Sequence, residues 1–158
     1  MQTFLPFADF KKSFRVLDYK RLGKQRAEAL ILIHVIEAMQ NGNNVRKGWK
    51  NHPITIMWMH FLDALKLYCN LSIEEWVTRG YNNTIPKFIL DESDVILPDW
   101  LGYGAFHASH RSNLLRKDFE YYRQFQWKEN PSNPYLWRDI DKKWYYFDYE
   151  TKKRIYIN

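Results

Sequence analysis

Apolar residues recur at intervals of three and four along three long stretches of the chain, and this spacing predicts three principal helices. The first extends from about residue 18 to residue 40 and ends at the polar run 41–44, whose residue types tolerate a left-handed backbone. The second covers about 53–79, with a kink expected near Asn70. The third covers about 106–125.

Both ends of the chain lack this helical pattern. Residues 1–9 are apolar and broken by Pro6, which predicts an extended arm. Two runs rich in aromatic and β-branched residues flank a polar turn within about 144–157 and predict a hairpin. We therefore expect a mainly α, compact helical domain over residues 1–158, with residues 138–158 as a C-terminal β-hairpin extension. This hairpin either contacts nucleic acid through exposed rings or covers the helices.

Charge is distributed unevenly along the sequence. Lys and Arg exceed Asp and Glu by six in residues 1–50, fall four short in residues 51–100, and exceed them by four in residues 101–158. If the two basic ends meet in space, they form a cationic face of the kind that binds phosphates. Aromatic residues make up 18% of the chain, so several rings should remain for stacking on bases.

Neither a membrane segment nor a disulfide framework is expected. The chain has no apolar run approaching the roughly twenty residues that span a bilayer, and Met1–Asp9 lacks the order of a secretory signal. Cys69 is the single cysteine, so no intrachain disulfide can form. We expect a cytoplasmic monomer, associated with the nucleoid or, if the protein is viral, located in the host cytoplasm.

A single carboxylate lies among cations in the first predicted helix, within the run LDYKRLGKQRAEA. Arg21, Lys24 and Glu28 fall at relative positions 0, 3 and 7 and therefore project from one face. Gln25 lies beside them, and Arg26 adds a further cation. This arrangement suits the binding of an anionic substrate together with one step of acid or base chemistry. The alternative is that Lys24 and Glu28 form an ordinary ion pair worth a few tenths of a kcal/mol.

The basic loop RKGWKNH, residues 46–52, also predicts contacts with nucleic acid. Lys50 and His52 can bind a phosphate, and the indole of Trp49 can stack on a base or a sugar.

The third predicted helix carries a further set of candidate phosphate ligands. Two histidines one turn apart could bind zinc, but no third ligand of matching type lies nearby, so we expect no metal and no cofactor. Imidazoles beside a guanidinium suit phosphate contacts better. The candidates are His107, His110, Arg111, Arg116 and Lys117.

The amino terminus offers a candidate nucleophile. An α-amine is less basic than a lysine side chain, so a larger fraction of it is unprotonated and nucleophilic near neutral pH. Gln2 predicts that Met1 is retained, because a large second residue normally blocks its removal.

Six stretches of the chain together resemble one known family. The chain resembles the pyrimidine-dimer DNA glycosylases of the endonuclease V type found in phages, and resembles more closely their bacterial relatives that begin with MQTFLP. The matching stretches extend across residues 1–137 and read MQTFLP, VLDYKRLGKQRAEAL, GWKNHP, EEWVTRGYNNT, PDWLGYGAFHASHRSNLLRKD and NPYLW.

The resemblance implies a mechanism and the residues for it. In the phage-type enzymes the N-terminal α-amine attacks the deoxyribose C1′. A glutamate on the first long helix assists glycosidic cleavage and then abstracts a proton, so the strand is nicked by β-elimination. The two sequences are aligned at the leucine that follows a basic residue in the first predicted helix. This alignment places the glutamate on Glu28 and the amine on Met1. It also places an arginine that binds phosphate in the family near Arg116.

This chain departs from the phage pattern at its amino terminus. The phage enzyme exposes a small residue after its Met is removed, whereas Gln2 predicts that Met1 stays, and an insertion lies between the arm and the helix. If the Met1 amine does not reach C1′, a water activated by Glu28 would cleave the glycosidic bond without lyase action.

We therefore predict a DNA glycosylase with AP lyase activity that acts on double-stranded DNA containing damaged or modified pyrimidines, with cyclobutane pyrimidine dimers as the first candidate. One alternative is a non-catalytic nucleic-acid-binding protein that uses the same basic face. Another is an enzyme that cleaves the N-glycosidic bond of a free nucleoside or nucleotide.

Overall fold

The computed structural model describes residues 1–158 and contains seven α-helices and one three-stranded antiparallel sheet. None of the helices combines the length and apolar character needed to cross a bilayer. The architecture confirms the predicted mainly α fold with a C-terminal hairpin. The helices are α1 (Phe10–Val16), α2 (Tyr19–Gln40), α3 (Lys47–Lys50), α4 (Pro53–Trp58), α5 (Leu62–Thr78), α6 (Gly104–Lys117) and α7 (Phe119–Tyr122), and the strands are β1 (Trp137–Arg138), β2 (Trp144–Asp148) and β3 (Lys153–Tyr156).

Helix α2 confirms the first predicted helix almost to its ends. Asp18 caps its N-terminus by accepting a hydrogen bond from the backbone N–H of Arg21, and it forms an ion pair with the same guanidinium at 3.0 Å. The hydroxyl of Tyr122 donates to the Asp18 carboxylate at 2.5 Å. This bond ties the start of α2 to α7, which lies 104 residues away in the sequence.

Helices α2 and α5 pack along each other and form the centre of the core. Leu22 and Ile33 on α2 are fully buried, as are Leu65 and Tyr68 on α5. Gly23 permits the close approach, because a Cβ at this position would lie 3.0 Å from the ring of Trp76 on α5. The apolar face of α2 is therefore the face that contacts α5.

The second predicted helix is divided into α4 and α5, so the prediction of one continuous helix is wrong. The chain turns at 59–61, where Phe61 has an extended φ of −133°. The turn is needed because α4 packs on β1 whereas α5 packs on α2. Helix α5 continues without interruption past Asn70, whose side-chain amide makes two hydrogen bonds to the backbone of Phe88.

The third predicted helix also ends earlier than its apolar spacing indicates. Helix α6 stops at Lys117, because the backbone of Asp118 leaves the helical conformation, with φ −153° and ψ 77°. The Asp118 carboxylate then accepts from the backbone N–H of Tyr121 and caps the short helix α7. A 3₁₀ turn at Arg123–Phe125 completes the region that was predicted as one helix.

The N-terminal arm is non-helical as predicted, but it is buried rather than peripheral. Residues 2–6 lie in the interior. Both the N–H and the carbonyl of Leu5 are hydrogen-bonded to histidines of α6. The Leu5 N–H donates to His110 Nδ1 at 2.9 Å, and the Leu5 carbonyl lies 2.8 Å from His107 Nδ1. The arm is therefore fixed in one position relative to the helices.

The C-terminal sheet has the order β1-β2-β3 and rests against the helices. β2 and β3 form the predicted hairpin, in which Tyr145 lies opposite Tyr156 and Asp148 opposite Lys153. Strand β1 was not predicted, because its two residues are too few to show an alternating pattern. Tyr145 is buried, so the sheet covers part of the helical core.

Candidate active site

The side chain of Gln25 connects the N-terminal arm with Glu28. Its Nε2 donates to the backbone carbonyl of Gln2 at 3.0 Å and lies 3.4 Å from a carboxylate oxygen of Glu28. Its Oε1 accepts from the Phe4 N–H at 2.9 Å and lies 2.5 Å from the Tyr68 hydroxyl. Gln25 is only 1% exposed, so these four bonds hold the arm and the carboxylate in a fixed relation.

A cleft of about 420 Å³ opens over this junction. The arm, α2, the C-terminal end of α6 and the segment before β1 each contribute part of its wall. Residues from the beginning, the first long helix and the last third of the chain therefore converge there. The lining residues are Met1, Gln2, Phe4, Lys20, Arg21, Lys24, Gln25, Glu28, Lys117 and Tyr135.

The cleft is strongly cationic around one carboxylate. Partial desolvation lowers the pKa of the Lys117 ammonium, and the positive charges of Arg21, Arg116 and Lys24 lower this pKa further. Among the causes of this pKa shift, only the negative charge of Glu28 acts in the opposite direction. The basic ends of the sequence therefore meet in space at the Glu28 carboxylate, as the charge distribution suggested.

Glu28 does not form the i, i+4 ion pair with Lys24 that the sequence left open. The ion pairs within 4.0 Å on α2 are Arg21 with Asp18 and Glu37 with Lys66, and neither includes Glu28. The half-buried carboxylate keeps only the long contact with Gln25, so its oxygens remain available to a ligand. Such a carboxylate can stabilise a developing cation or accept a proton.

The amine of Met1 lies near this cleft and near His52. Burial lowers the pKa of the His52 imidazole, and the positive charge of the N-terminal amine lowers it further. His52 Nδ1 accepts from the backbone N–H of Ile54 at 3.1 Å, so His52 caps α4. His52 therefore lies beside the amino terminus but does not line the cationic cleft.

The predicted phosphate contacts of His107, His110 and Arg111 are contradicted by their burial and bonding. His110 has no exposed surface, and burial lowers its pKa to about 3, with smaller contributions from His107 and Arg111. Both imidazoles bond the arm backbone instead. Arg111 donates to the Pro6 carbonyl at 2.7 Å and pairs with Glu129 at 2.5 Å. These three side chains hold the arm in place.

Other predicted contact residues lie outside the cleft. The guanidinium of Arg26 stacks on Trp76 at 4.3 Å and donates to Asn83, so it contributes to packing between α2 and α5. Trp49 and Lys50 on α3 do not line the cleft either. Arg116 is exposed and donates to Asn113 and to the backbone of Pro131, while its charge still acts on Lys117.

Four lining residues were not predicted as part of the site: Gln2, Phe4, Lys20 and Tyr135. Lys20 precedes Lys24 and Glu28 by one and two helical turns, so the helical spacing contained the signal. Tyr135 reaches the cleft only because the chain after α7 returns to the arm, and no local pattern predicts that path. Its hydroxyl is buried without a hydrogen-bond partner.

The donor set of the cleft suits an anion. Ammonium and guanidinium groups outnumber the single carboxylate, and no three His, Cys, Asp or Glu side chains converge to form a metal-binding group.

Comparison with known families gives one match. The family model described as pyrimidine dimer DNA glycosylase matches residues 1–88. This range includes the arm, Glu28 and helices α1 to α5, whereas Lys117, Tyr135 and the sheet lie beyond it. No curated protein matches the chain, and no solved structure matches it.

Proposed function

The chain belongs to the pyrimidine dimer DNA glycosylase family, and from this membership we propose that it excises damaged pyrimidines from double-stranded DNA and then nicks the strand as an AP lyase. Cyclobutane pyrimidine dimers are the first candidate lesion. Of these activities, family membership implies only the glycosylase activity. The lyase step, the lesion and the residue roles are our proposal.

One observation supports the proposal more than any other. Met1 and Glu28 line the same cleft, and Gln25 bonds both the Gln2 carbonyl and the Glu28 carboxylate. A glycosylase of this type needs a nucleophile and an acid–base group on one sugar ring, and these two groups come from different parts of the sequence.

We assign the roles as follows. The Met1 α-amine attacks C1′ with its lone pair, the C1′–N1 bond breaks with its electron pair moving to N1, and the Met1 nitrogen loses a proton as N1 gains one. The Glu28 carboxylate stabilises the cationic character that develops on the sugar. The C1′–O4′ bond then breaks, O4′ takes up a proton, and a protonated imine forms between C1′ and the Met1 nitrogen. Glu28 then removes a proton from C2′, and the 3′ phosphate leaves by β-elimination.

The cations of the cleft bind the phosphates of the DNA backbone. Lys20, Lys24 and Lys117 are exposed ammonium groups on two helices and face the same cleft as Glu28. Phosphate contacts of this kind offset the cost of distorting the duplex, which is a few kcal/mol for an extruded nucleotide. A duplex is therefore favoured over a free nucleotide, which offers fewer phosphates.

The test is a duplex that contains a cyclobutane dimer, with a second duplex that contains an abasic site. We expect cleavage of the glycosidic bond in the first and a covalent adduct trapped by borohydride with both. Because the cleaved base stays joined to its neighbour through the cyclobutane ring, base release is measured after photoreversal of the dimer. Glu28→Gln should slow base release by about 10²- to 10⁴-fold, the usual contribution of one acid–base group. Glu37→Gln is the matched control, because it removes a carboxylate from the same helix that pairs with Lys66 outside the cleft.

The outcomes separate the possible functions. Base release without trapping would mean that water, activated by Glu28, replaces the amine and that the lyase step is absent. A non-catalytic DNA-binding protein would bind the duplexes, release no base, and be insensitive to Glu28→Gln. Absence of both base release and trapping with the wild-type protein would refute the proposal.

A further inference from the structure

A groove lies at the turn between α4 and α5, apart from the cleft that contains Glu28. Two pockets, of about 480 Å³ and about 200 Å³, adjoin there because His60 and Phe61 line both of them. We call their combined surface the acidic groove. It shares no lining residue with the cationic cleft. Gln40 lines the larger pocket and ends α2, whereas Glu28 lies about 18 Å earlier along that helix, at about 1.5 Å per residue.

The acidic groove contains apolar side chains that the fold leaves uncovered. Ile96 is 75% exposed and lines the larger pocket, and Ile140 is 65% exposed and lines the smaller one. Phe61 and Leu62, which are half-buried, also line the larger pocket. Single exposed apolar side chains are ordinary on a protein surface, but several that line one concave surface indicate a binding site for a partner.

Carboxylates without a balancing cation lie beside these apolar side chains. Asp63 and Asp94 line the larger pocket, and Asp91 and Glu92 belong to the same exposed turn as Asp94. None of these four carboxylates takes part in an ion pair. They are therefore available to cations of another molecule.

The groove as a whole is negative. Two cations, Arg138 and Lys142, line the smaller pocket, and both pair with Asp99, at 2.9 Å and 3.0 Å. Four aspartates line the groove against these two cations, which leaves a formal charge of −2. This charge repels phosphates and attracts a cationic partner.

From this complementarity we propose that the acidic groove binds a basic amphipathic helix of another protein. Apolar side chains at every third or fourth position of that helix pack on Phe61, Leu62 and Ile96. Lysines or arginines beside them meet Asp63 and Asp94, which orients the helix and raises its rate of encounter. Because the groove and the cationic cleft share no residue, the partner and a ligand of the cleft can be bound at the same time.

The probe for the groove is a fluorescent peptide of leucine and lysine, about eighteen residues or five helical turns long, with leucine at every third or fourth position. Fluorescence anisotropy should show saturable binding to the wild-type protein. The same peptide with glutamate in place of lysine should not bind. With alanine in place of leucine, binding should be at least about fivefold weaker, because less apolar surface is buried.

Two variants test whether the peptide lies in the groove. Ile96→Ser removes an apolar side chain without changing the charge and should weaken binding by at least about fivefold. Asp63→Asn combined with Asp94→Asn removes two charges and should weaken binding by about two- to thirtyfold at low salt, and by less at high salt. All three side chains are exposed, so the variants should keep the wild-type circular dichroism spectrum.

Two further variants are the matched controls. Ile89→Ser changes a fully exposed isoleucine of the same segment that lines neither pocket. Glu120→Gln changes an exposed carboxylate on α7, outside the groove. Both variants should bind the peptide as the wild type does.

The outcomes of this experiment do not depend on DNA, so they stand apart from the proposed function. Absence of saturable binding, binding that neither groove variant weakens, or equal affinity for the leucine and alanine peptides would each overturn the inference. Sedimentation equilibrium tests a second copy of the chain as the occupant. A self-associated wild-type protein that Ile96→Ser converts to a monomer would also overturn it, because the groove would then be an interface between copies.

Discussion

The side-chain nitrogen of Gln25 lies 3.0 Å from the backbone carbonyl of Gln2. The two residues are 23 positions apart, and both are almost fully buried. The bond matters because the same nitrogen faces the Glu28 carboxylate at 3.4 Å. The position of the amino terminus relative to the Glu28 carboxylate therefore depends on the side-chain amide of Gln25, which has no direct role in the chemistry.

Replacing Gln25 should accordingly affect stability and activity together. Gln25→Ala leaves the Phe4 N–H without its acceptor, whereas the Tyr68 hydroxyl can still donate to the Phe4 carbonyl at 3.0 Å. We expect a loss of about 1–3 kcal/mol in the free energy of unfolding. Base release and trapping should both fall by an order of magnitude at temperatures where the variant is folded. Urea denaturation and single-turnover rates measure the two effects. Gln124→Ala, an exposed control, should change neither, and full activity in Gln25→Ala would contradict the positioning role.

The buried histidines of α6 predict a loss of stability in mild acid. Burial lowers the pKa of His110 to about 3, and burial likewise lowers the pKa of His107. An unfolded imidazole titrates near about 6.5, so between these values the unfolded chain binds a proton that the folded chain does not. The free energy of unfolding should therefore decrease as pH falls from about 6.5, by roughly 1 kcal/mol per pH unit for His110 and by a further amount of the same sign for His107.

Urea denaturation between about pH 7 and 4.5 checks this slope, above the range where most carboxylates titrate. His110→Asn should be less stable than the wild type at neutral pH but should show a flatter dependence on pH. His34→Asn, which changes an exposed histidine of α2, should keep the wild-type slope. A slope that His110→Asn leaves unchanged would show that another group is responsible.

Helical periodicity predicted α2 well because the whole helix shares one contact surface. Its buried apolar residues face α5, and Lys24 and Glu28 face the cleft, so the sequence spacing and the tertiary environment agree. The same reasoning wrongly predicted α4 and α5 as one continuous helix, and α6 and α7 as another. In both cases the apolar spacing continues across a turn, because residues on either side of the turn face the same core.

The candidate site was predicted in part for a related reason. Lys24 and Glu28 are on one helix face, which local spacing determines. Met1 was a candidate because its α-amine is less basic than a lysine side chain, and the family resemblance gave the same residue. His107 and His110 were assigned to phosphate because histidine and arginine on a helix are typical of such contacts. Their actual partner is the arm backbone, more than 100 residues away, and no sequence pattern indicates that pairing.

Gly23 should be intolerant of any side chain. In a helix interior, Gly→Ala normally stabilises by up to about 1 kcal/mol. Here the new Cβ would lie 3.0 Å from the Trp76 ring, which is held between Arg26 at 4.3 Å and Tyr81 at 4.3 Å. We expect Gly23→Ala to lower the free energy of unfolding by about 1–3 kcal/mol. Gly48→Ala on α3, where the added Cβ meets nothing within 4 Å, is the control and should be neutral or stabilising.

Thermal unfolding monitored by circular dichroism would measure both glycine variants. A Gly23→Ala protein at least as stable as the wild type would mean that Trp76 moves aside at little cost, and that α2 and α5 are not held at a fixed separation by this contact.

The cationic cleft predicts a specific dependence of DNA binding on salt. Each lysine that contacts a phosphate releases condensed counterions, so its removal should reduce the slope of log Kd against log salt by about one. Lys24→Ala and Lys117→Ala should each weaken binding to duplexes of unrelated sequence to the same extent, because neither reads a base. Fluorescence anisotropy over a salt series measures both quantities.

Lys87→Ala is the matched control for these variants. Lys87 is an exposed lysine that pairs with Glu74 at 2.7 Å and does not line the cleft, so its removal should leave the slope unchanged. Equal slopes for Lys24→Ala, Lys117→Ala and Lys87→Ala would mean that DNA approaches another face. In that event Glu28 would lack access to a sugar in a duplex, and the free nucleoside would become the substrate to test.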